Sequence, residues 1–108
     1  MNNERIQKYN AYRDEILKRK KELEAMISHV DLEEQDILHF LENEKYNAVI
    51  MAKTTKRLIT LRKERRAIKE EWVDINWIAL RMQNELPERK FHDYKYRTNI
   101  IEEIKEAK

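Results

Sequence analysis

Apolar side chains recur along this chain at alternating steps of three and four, the spacing that keeps one helix face turned toward a partner. The first series runs through Ile6, Tyr9, Arg13, Ile16, Lys20, Leu23, Ile27 and Val30, with Tyr12, Leu17 and Met26 widening the stripe. Most positions between are polar or charged, and residues 18–21 form a solvated basic run. Arg13 and Lys20 weaken the seam unless their aliphatic stems lie along it and their heads reach water. The pattern predicts a helix over about residues 4–28.

A break is expected at Ser28-His29-Val30-Asp31. Asp31 is a favourable N-cap, and Glu34 three residues on can complete a capping box. Leu32, Ile37, Leu38 and Leu41 then supply the apolar face of a second helix, about residues 32–44. The longest series follows: Leu58, Leu61, Arg65, Ile68, Trp72, Ile75, Ala79, Met82 and Leu86, ending against the single proline, Pro87. A helix over 46–86 would be ~60 Å long at 1.5 Å per residue, and such a rod cannot bury its stripe against itself. After an irregular basic and aromatic connector, Asn99 with Glu102 can cap a last helix, residues 99–107. Its Ile100, Ile101 and Ile104 are expected to dock on the bundle.

The predicted fold class is therefore all-α: one domain over residues 1–108, an elongated antiparallel bundle or coiled coil of about three helices plus a short C-terminal one. Some stripe stays uncovered, which makes a symmetric homodimer the natural completion.

Composition strengthens this picture. The 108 residues include no glycine and one proline, and 41% are charged. Strand-rich folds need turns with positive φ that glycine supplies, so a chain without it is nearly all helix. The net charge of +2 from 23 basic and 21 acidic residues points to no nucleic acid or membrane by itself. The absence of cysteine excludes disulfides, thiol nucleophiles and Cys-based zinc sites. Residues 1–21 hold no signal-like apolar run and no segment approaches a membrane span, so a soluble, cytoplasmic protein is expected.

Charge is segregated locally. Residues 31–45 hold six acids against one base, whereas 53–69 hold eight bases (Lys53, Lys56, Arg57, Arg62, Lys63, Arg65, Arg66 and Lys69) against Glu64. Arg62, Arg66 and Lys69 fall at i, i+4 and i+7, a row continued by Arg65 and suited to phosphates or an acidic protein surface. The competing reading folds the acidic helix back beside this stretch and neutralises part of it. At 100° per residue Lys53, Lys56 and Arg57 point away from the row, so no single groove-lining stripe forms and the structural reading is favoured. Arg65 sits at a core-type position and needs a carboxylate partner, for which Asp36 or Glu42 are candidates.

Asp36 and His39 have the carboxylate-x-x-His spacing of di-metal bundles, but those sites need a second copy of the motif and none is present. His29 and His92 fall in predicted breaks. Ser28, Thr54, Thr55, Thr60 and Thr98 are not placed with His and Asp in a nucleophile elbow, and a glycine-rich phosphate loop is excluded. No enzyme activity and no cofactor are expected. Trp72 is placed in the seam, while Trp77 lies off it and is expected under the final helix or at an interface. Phe91, Tyr94 and Tyr96 among Arg89, Lys90, Lys95 and Arg97 form a strip like those that stack on single-stranded nucleic acid.

The run His29-Val-Asp-Leu-Glu-Glu-Gln-Asp-Ile-Leu-His-Phe-Leu-Glu42, then Asn47-Ala48, then Arg62-Lys-Glu-Arg-Arg-Ala-Ile-Lys-Glu-Glu-Trp72 resembles small helical proteins of phages and prophages of Gram-positive bacteria. The resemblance covers under half of the chain. It implies a phage-encoded accessory protein acting in the host cytoplasm, and it carries over no functional residues.

The sequence thus points to a non-enzymatic adaptor or modulator that binds a protein partner. The candidate contacts are Arg62, Arg66, Lys69, Trp77, Phe91, Tyr94, Tyr96 and Arg97. The alternative is a nucleic-acid-binding accessory using the basic stretch 53–69 and the connector 89–97.

Overall fold

A computed structural model describes residues 3–89 and 97–107. The architecture is all-α and elongated. α1 spans Glu4–Asn43, α2 spans Ala48–Arg81, and α3 is the short Ile100–Glu106. At 1.5 Å per residue α1 is ~60 Å long and α2 ~50 Å. They pack antiparallel, since rising α1 numbers meet falling α2 numbers: Arg13 with Met82, Arg19 with Glu71, Glu33 with Arg57. The molecule measures 102 × 19 × 18 Å with a radius of gyration of 28.7 Å, about twice that of a compact chain of this length.

The first seam forms as its spacing requires. Every position from Ile6 to Val30 in the series is buried or half-buried, and Ile16, Leu23 and Val30 are fully inside. The expected break at residues 28–31 is not there; α1 runs through it to Asn43. The reason lies in the register. From Val30 the same steps of four, three and four reach Glu34, Ile37 and Leu41, all half-buried. An uninterrupted helix keeps Ile37 and Leu41 on α2, and this outweighs a local cap worth ~1 kcal/mol. Leu32 and Leu38, assigned to an apolar face, instead point outward at 59% and 40% exposure. Two long helices therefore replace the expected three.

The real turn is at residues 44–47, where Asn47 accepts a bond from the Ile50 amide at 2.9 Å and caps α2. Leu61, Ala79 and Met82 are the buried residues of the second series, and the other members from Leu58 to Ile75 are half-buried. α2 ends at Arg81, well before Pro87, with Met82 as its C-cap. Arg13 of α1 meets this end. Its guanidinium donates to the carbonyls of Met82 and Gln83, both at 2.6 Å, satisfying acceptors that a helix end leaves orphaned. Asn10, near Arg13 on α1, both donates to the Leu86 carbonyl and accepts from its amide, each at 2.9 Å. Asn3, one heptad earlier, accepts from the Arg89 amide at 2.9 Å and donates to Glu88 Oε1 at 3.1 Å. This clasp lays residues 82–89 along the start of α1.

α3 does not dock on the bundle. Among the described residues α1 and α2 are the only helices in contact, and Ile100 and Ile104 stand 56% and 61% exposed. Asn99 precedes α3 but makes no side-chain cap bond. Among the described residues no helix is long and apolar enough to cross a membrane.

Candidate functional site

The hairpin has two flanks, one on each side of the α1–α2 seam, and their side chains differ. On one flank the ion pairs are closed. Arg19 grips Glu71 with Nε at 2.5 Å and Nη2 at 2.8 Å, and also reaches Glu22 at 3.1 Å. Glu33 accepts from Arg57 at 2.6 Å and pairs with His29 at 2.9 Å. The Arg19 guanidinium holds the Glu71 carboxyl below the ordinary glutamate range, and Arg57 does the same for Glu33. The two carboxylates bonded to Arg19 raise its own affinity for its proton still further. Residues 57, 64 and 71 repeat every seven along this flank.

The other flank is open. Ile59, Arg62, Arg66, Lys69, Val73, Trp77 and Leu80 follow steps of three and four, so they are surface neighbours along the C-terminal two thirds of α2. Their ends are apolar and exposed: Ile59 at 50%, Val73 at 52%, Trp77 at 57% and Leu80 at 53%. The middle is basic. A groove of about 660 Å³ runs beside it, lined by Asp31 and Glu34 of α1 and by Arg62, Arg65, Arg66, Lys69, Glu70 and Val73 of α2. Through Lys69 it adjoins a smaller hollow of about 300 Å³, walled by Glu24, Ile27, Ser28 and Trp72. The buried indole Nε1 of Trp72 finds no acceptor among the described residues.

The acidic part of α1 does fold against the basic stretch. Arg65 bonds Asp31 at 2.7 Å and Arg62 bonds Glu34 at 3.2 Å. The expected partners of Arg65, Asp36 and Glu42, are not used; both are exposed. The uninterrupted α1 sets the register that brings Asp31 and Glu34 opposite residues 62–65, and Asp36 lies more than a turn beyond Asp31. Neutralisation is partial. Neither Arg66 nor Lys69 forms a salt bridge among the described residues, and Lys53 and Lys56 lie on the outer face of α2 beside Ala48, Val49 and Ala52.

Trp77 is not covered by α3. Arg81 stacks on its ring at 3.6 Å from the centroid and donates to its carbonyl at 3.1 Å. Arg97 is exposed just ahead of α3, while Phe91, Tyr94 and Tyr96 lie outside the described residues. The structure thus gathers Arg62, Arg66, Lys69 and Trp77 on one stripe and leaves Arg97 apart. Sequence reasoning missed Ile59, Val73 and Leu80, although residues 59, 66, 73 and 80 repeat every seven, parallel to the seam. It also missed the clasp by Asn3, Asn10 and Arg13. Among the described residues no three His, Asp or Glu side chains converge as metal ligands. The chain matches no protein-family model, no curated protein and no solved structure.

Proposed function

We propose that this protein is a non-enzymatic adaptor or modulator, acting as a homodimer, that binds a protein partner along the open flank of α2. The observation that carries the reading is the stripe Ile59 to Leu80. Large apolar groups that face water in a line, on a helix whose inner face is already covered, suit a second helix better than they suit solvent. The basic centre selects acidic residues in the middle of that partner helix, and the exposed aromatic Trp77 is a natural anchor. The resemblance over residues 29–72 supports a phage-encoded origin and work in the cytoplasm of the host.

The test compares the parent with the Arg62→Ala, Arg66→Ala, Lys69→Ala triple variant in a pull-down from host lysate, with and without nuclease. The expected result is one protein at near-stoichiometric yield, insensitive to nuclease, lost by at least tenfold with the variant at unchanged helicity. Capture that vanishes with nuclease, and that falls steeply with salt, replaces this reading with nucleic-acid binding. Capture unaffected by the triple substitution removes the flank from the interface.

A further inference from the structure

Asn3 and Asn10 stand one heptad apart at the start of α1, and each grips the backbone of the segment that follows α2. Asn10 donates to the Leu86 carbonyl and accepts from the Leu86 amide, each at 2.9 Å. Asn3 treats Arg89 in the same way, accepting from its amide at 2.9 Å and donating to its carbonyl at 3.4 Å. A side-chain amide carries a donor and an acceptor side by side. Each asparagine therefore engages both backbone groups of one residue, as a residue on a neighbouring antiparallel strand does. The spacings agree. Seven residues of helix rise ~10.5 Å, and three residues of extended chain cover ~10 Å. Asparagines one heptad apart on a helix thus meet every third residue of an extended chain running the other way. Pro87 falls between the two gripped residues, where no amide is needed, and it biases Leu86 before it toward extended backbone.

What this pair recognises follows from its chemistry. It takes N–H and C=O groups that lie free along one edge of a chain, and a helix has already spent those groups internally. Only the Asn3 bond to Glu88 Oε1 touches a side chain of the gripped segment. The Arg13 fork adds two more backbone carbonyls, those of Met82 and Gln83. Little else holds the segment. α2 stops opposite Arg13, so α2 does not lie beside the first turns of α1. Met82 is buried, but residues 83–89 are all exposed. A segment with so few buried contacts opens far more readily than the whole fold unfolds, and its opening leaves Ile16 and Leu23 packed on the seam.

We infer that the start of α1 is a binding site for an extended peptide segment, read through its backbone by Asn3 and Asn10. Residues 86–89 are the occupant that the chain itself supplies. An extended segment of a partner protein takes the site when the chain's own segment lifts away, and main-chain hydrogen bonds then provide the recognition, as in strand addition. This surface is separate from the open flank of α2 and does not depend on what binds there.

Leu86→Pro with Arg89→Pro in the full chain removes the two gripped amide donors and leaves both asparagines in place. The probe is a synthetic peptide with the sequence of residues 82–89, Met-Gln-Asn-Glu-Leu-Pro-Glu-Arg. Binding is read by NMR from the side-chain amide signals of Asn3 and Asn10. Both signals should move on titration, at a peptide concentration at least tenfold lower in the double variant than in the parent. A peptide with proline at the same two positions should move neither signal, and adding Asn10→Ala should raise the concentration needed at Asn3 at least tenfold. In the parent, the Leu86 and Arg89 amides should exchange with deuterium at least a hundredfold faster than the Leu23 amide. No binding to the double variant overturns the site, and so does binding that is equal in variant and parent or that survives in the proline peptide. Exchange of Leu86 and Arg89 at the rate of Leu23 also overturns it, because the segment then opens only when the whole fold does.

Discussion

Arg13 donates from Nε to the carbonyl oxygen of Met82 at 2.6 Å, so a side chain of one helix satisfies an acceptor at the end of the other. Its Nη2 takes the next carbonyl, that of Gln83, in the same fork. Arginine suits the task because its donors are rigidly spaced. Arg13→Ala should therefore lower stability by about 1–2 kcal/mol, the usual worth of a charged hydrogen bond with a partner left unpaired. Hydrogen exchange at residues 82–86 should accelerate while residues 16–30 stay protected. Unchanged exchange at 82–86 would show that Pro87 alone ends α2.

Leu61 and Leu32 separate the single long α1 from two shorter helices. Leu61 is wholly buried and Leu32 is 59% exposed. Leu61→Ala should cost about 2–4 kcal/mol, as large-to-small core changes do. Leu32→Ala should shift stability by less than about 0.5 kcal/mol, typical of a surface site. Chemical denaturation measures both, and a large loss at Leu32 would restore a separate second helix with Leu32 inside it.

The same pair shows how far the sequence could be read. The heptad step is geometric, so Ile16, Leu23, Val30, Leu61 and Ala79 could be placed on the seam from spacing alone. The false break at Asp31 arose because a capping box is a local signal, and it names a possible start without weighing what continuation buries. Glu34 fits a cap partner by local sequence, but its seam position, four after Val30 and three before Ile37, is the stronger clue. The basic row and Trp77 were legible as separate features. Their union with Ile59, Val73 and Leu80 required knowing which α2 flank α1 leaves open. The polar clasp was hidden for a different reason: Asn3 and Asn10 bond backbone atoms of residues 86 and 89, and backbone partners leave no mark in side-chain patterns.

The two tryptophans should report different environments without any partner present. Trp72 is half-buried with its Nε1 enclosed, whereas Trp77 is 57% exposed under Arg81. In Trp77→Phe protein the remaining emission should be blue-shifted and shielded from iodide. In Trp72→Phe protein it should be red-shifted and readily quenched. Trp77→Phe should also leave the melting temperature within a few degrees of the parent, because an exposed cation–π pair contributes only about 0.5–1 kcal/mol. Equal quenching of the two would mean that Trp77 is covered, by self-association or by the segment before α3.

Glu33 and Glu71 make the closed flank sensitive to acid. Both carboxyls lie below the ordinary glutamate value, held there first by hydrogen bonds from Arg57 and Arg19 respectively. A depressed carboxyl binds fewer protons folded than unfolded, so its contribution is complete above the unfolded value and disappears as pH falls through the folded one. The loss should begin near pH 4–4.5, where an unfolded glutamate titrates. Both side chains are partly solvated, at 33% and 44% exposure, so solvent and salt screen the effect and keep it small. Glu71→Gln should melt slightly below the parent at pH 7, and the gap should close as pH approaches 3, because the parent then carries a protonated Glu71. Glu33→Gln should behave alike, with His29 losing its carboxylate partner as well. Thermal melts at matched ionic strength from pH 7 to 3 give the comparison. Curves that stay parallel to pH 3 would mean that neither ion pair contributes to the folded state, and that the seam alone holds this flank.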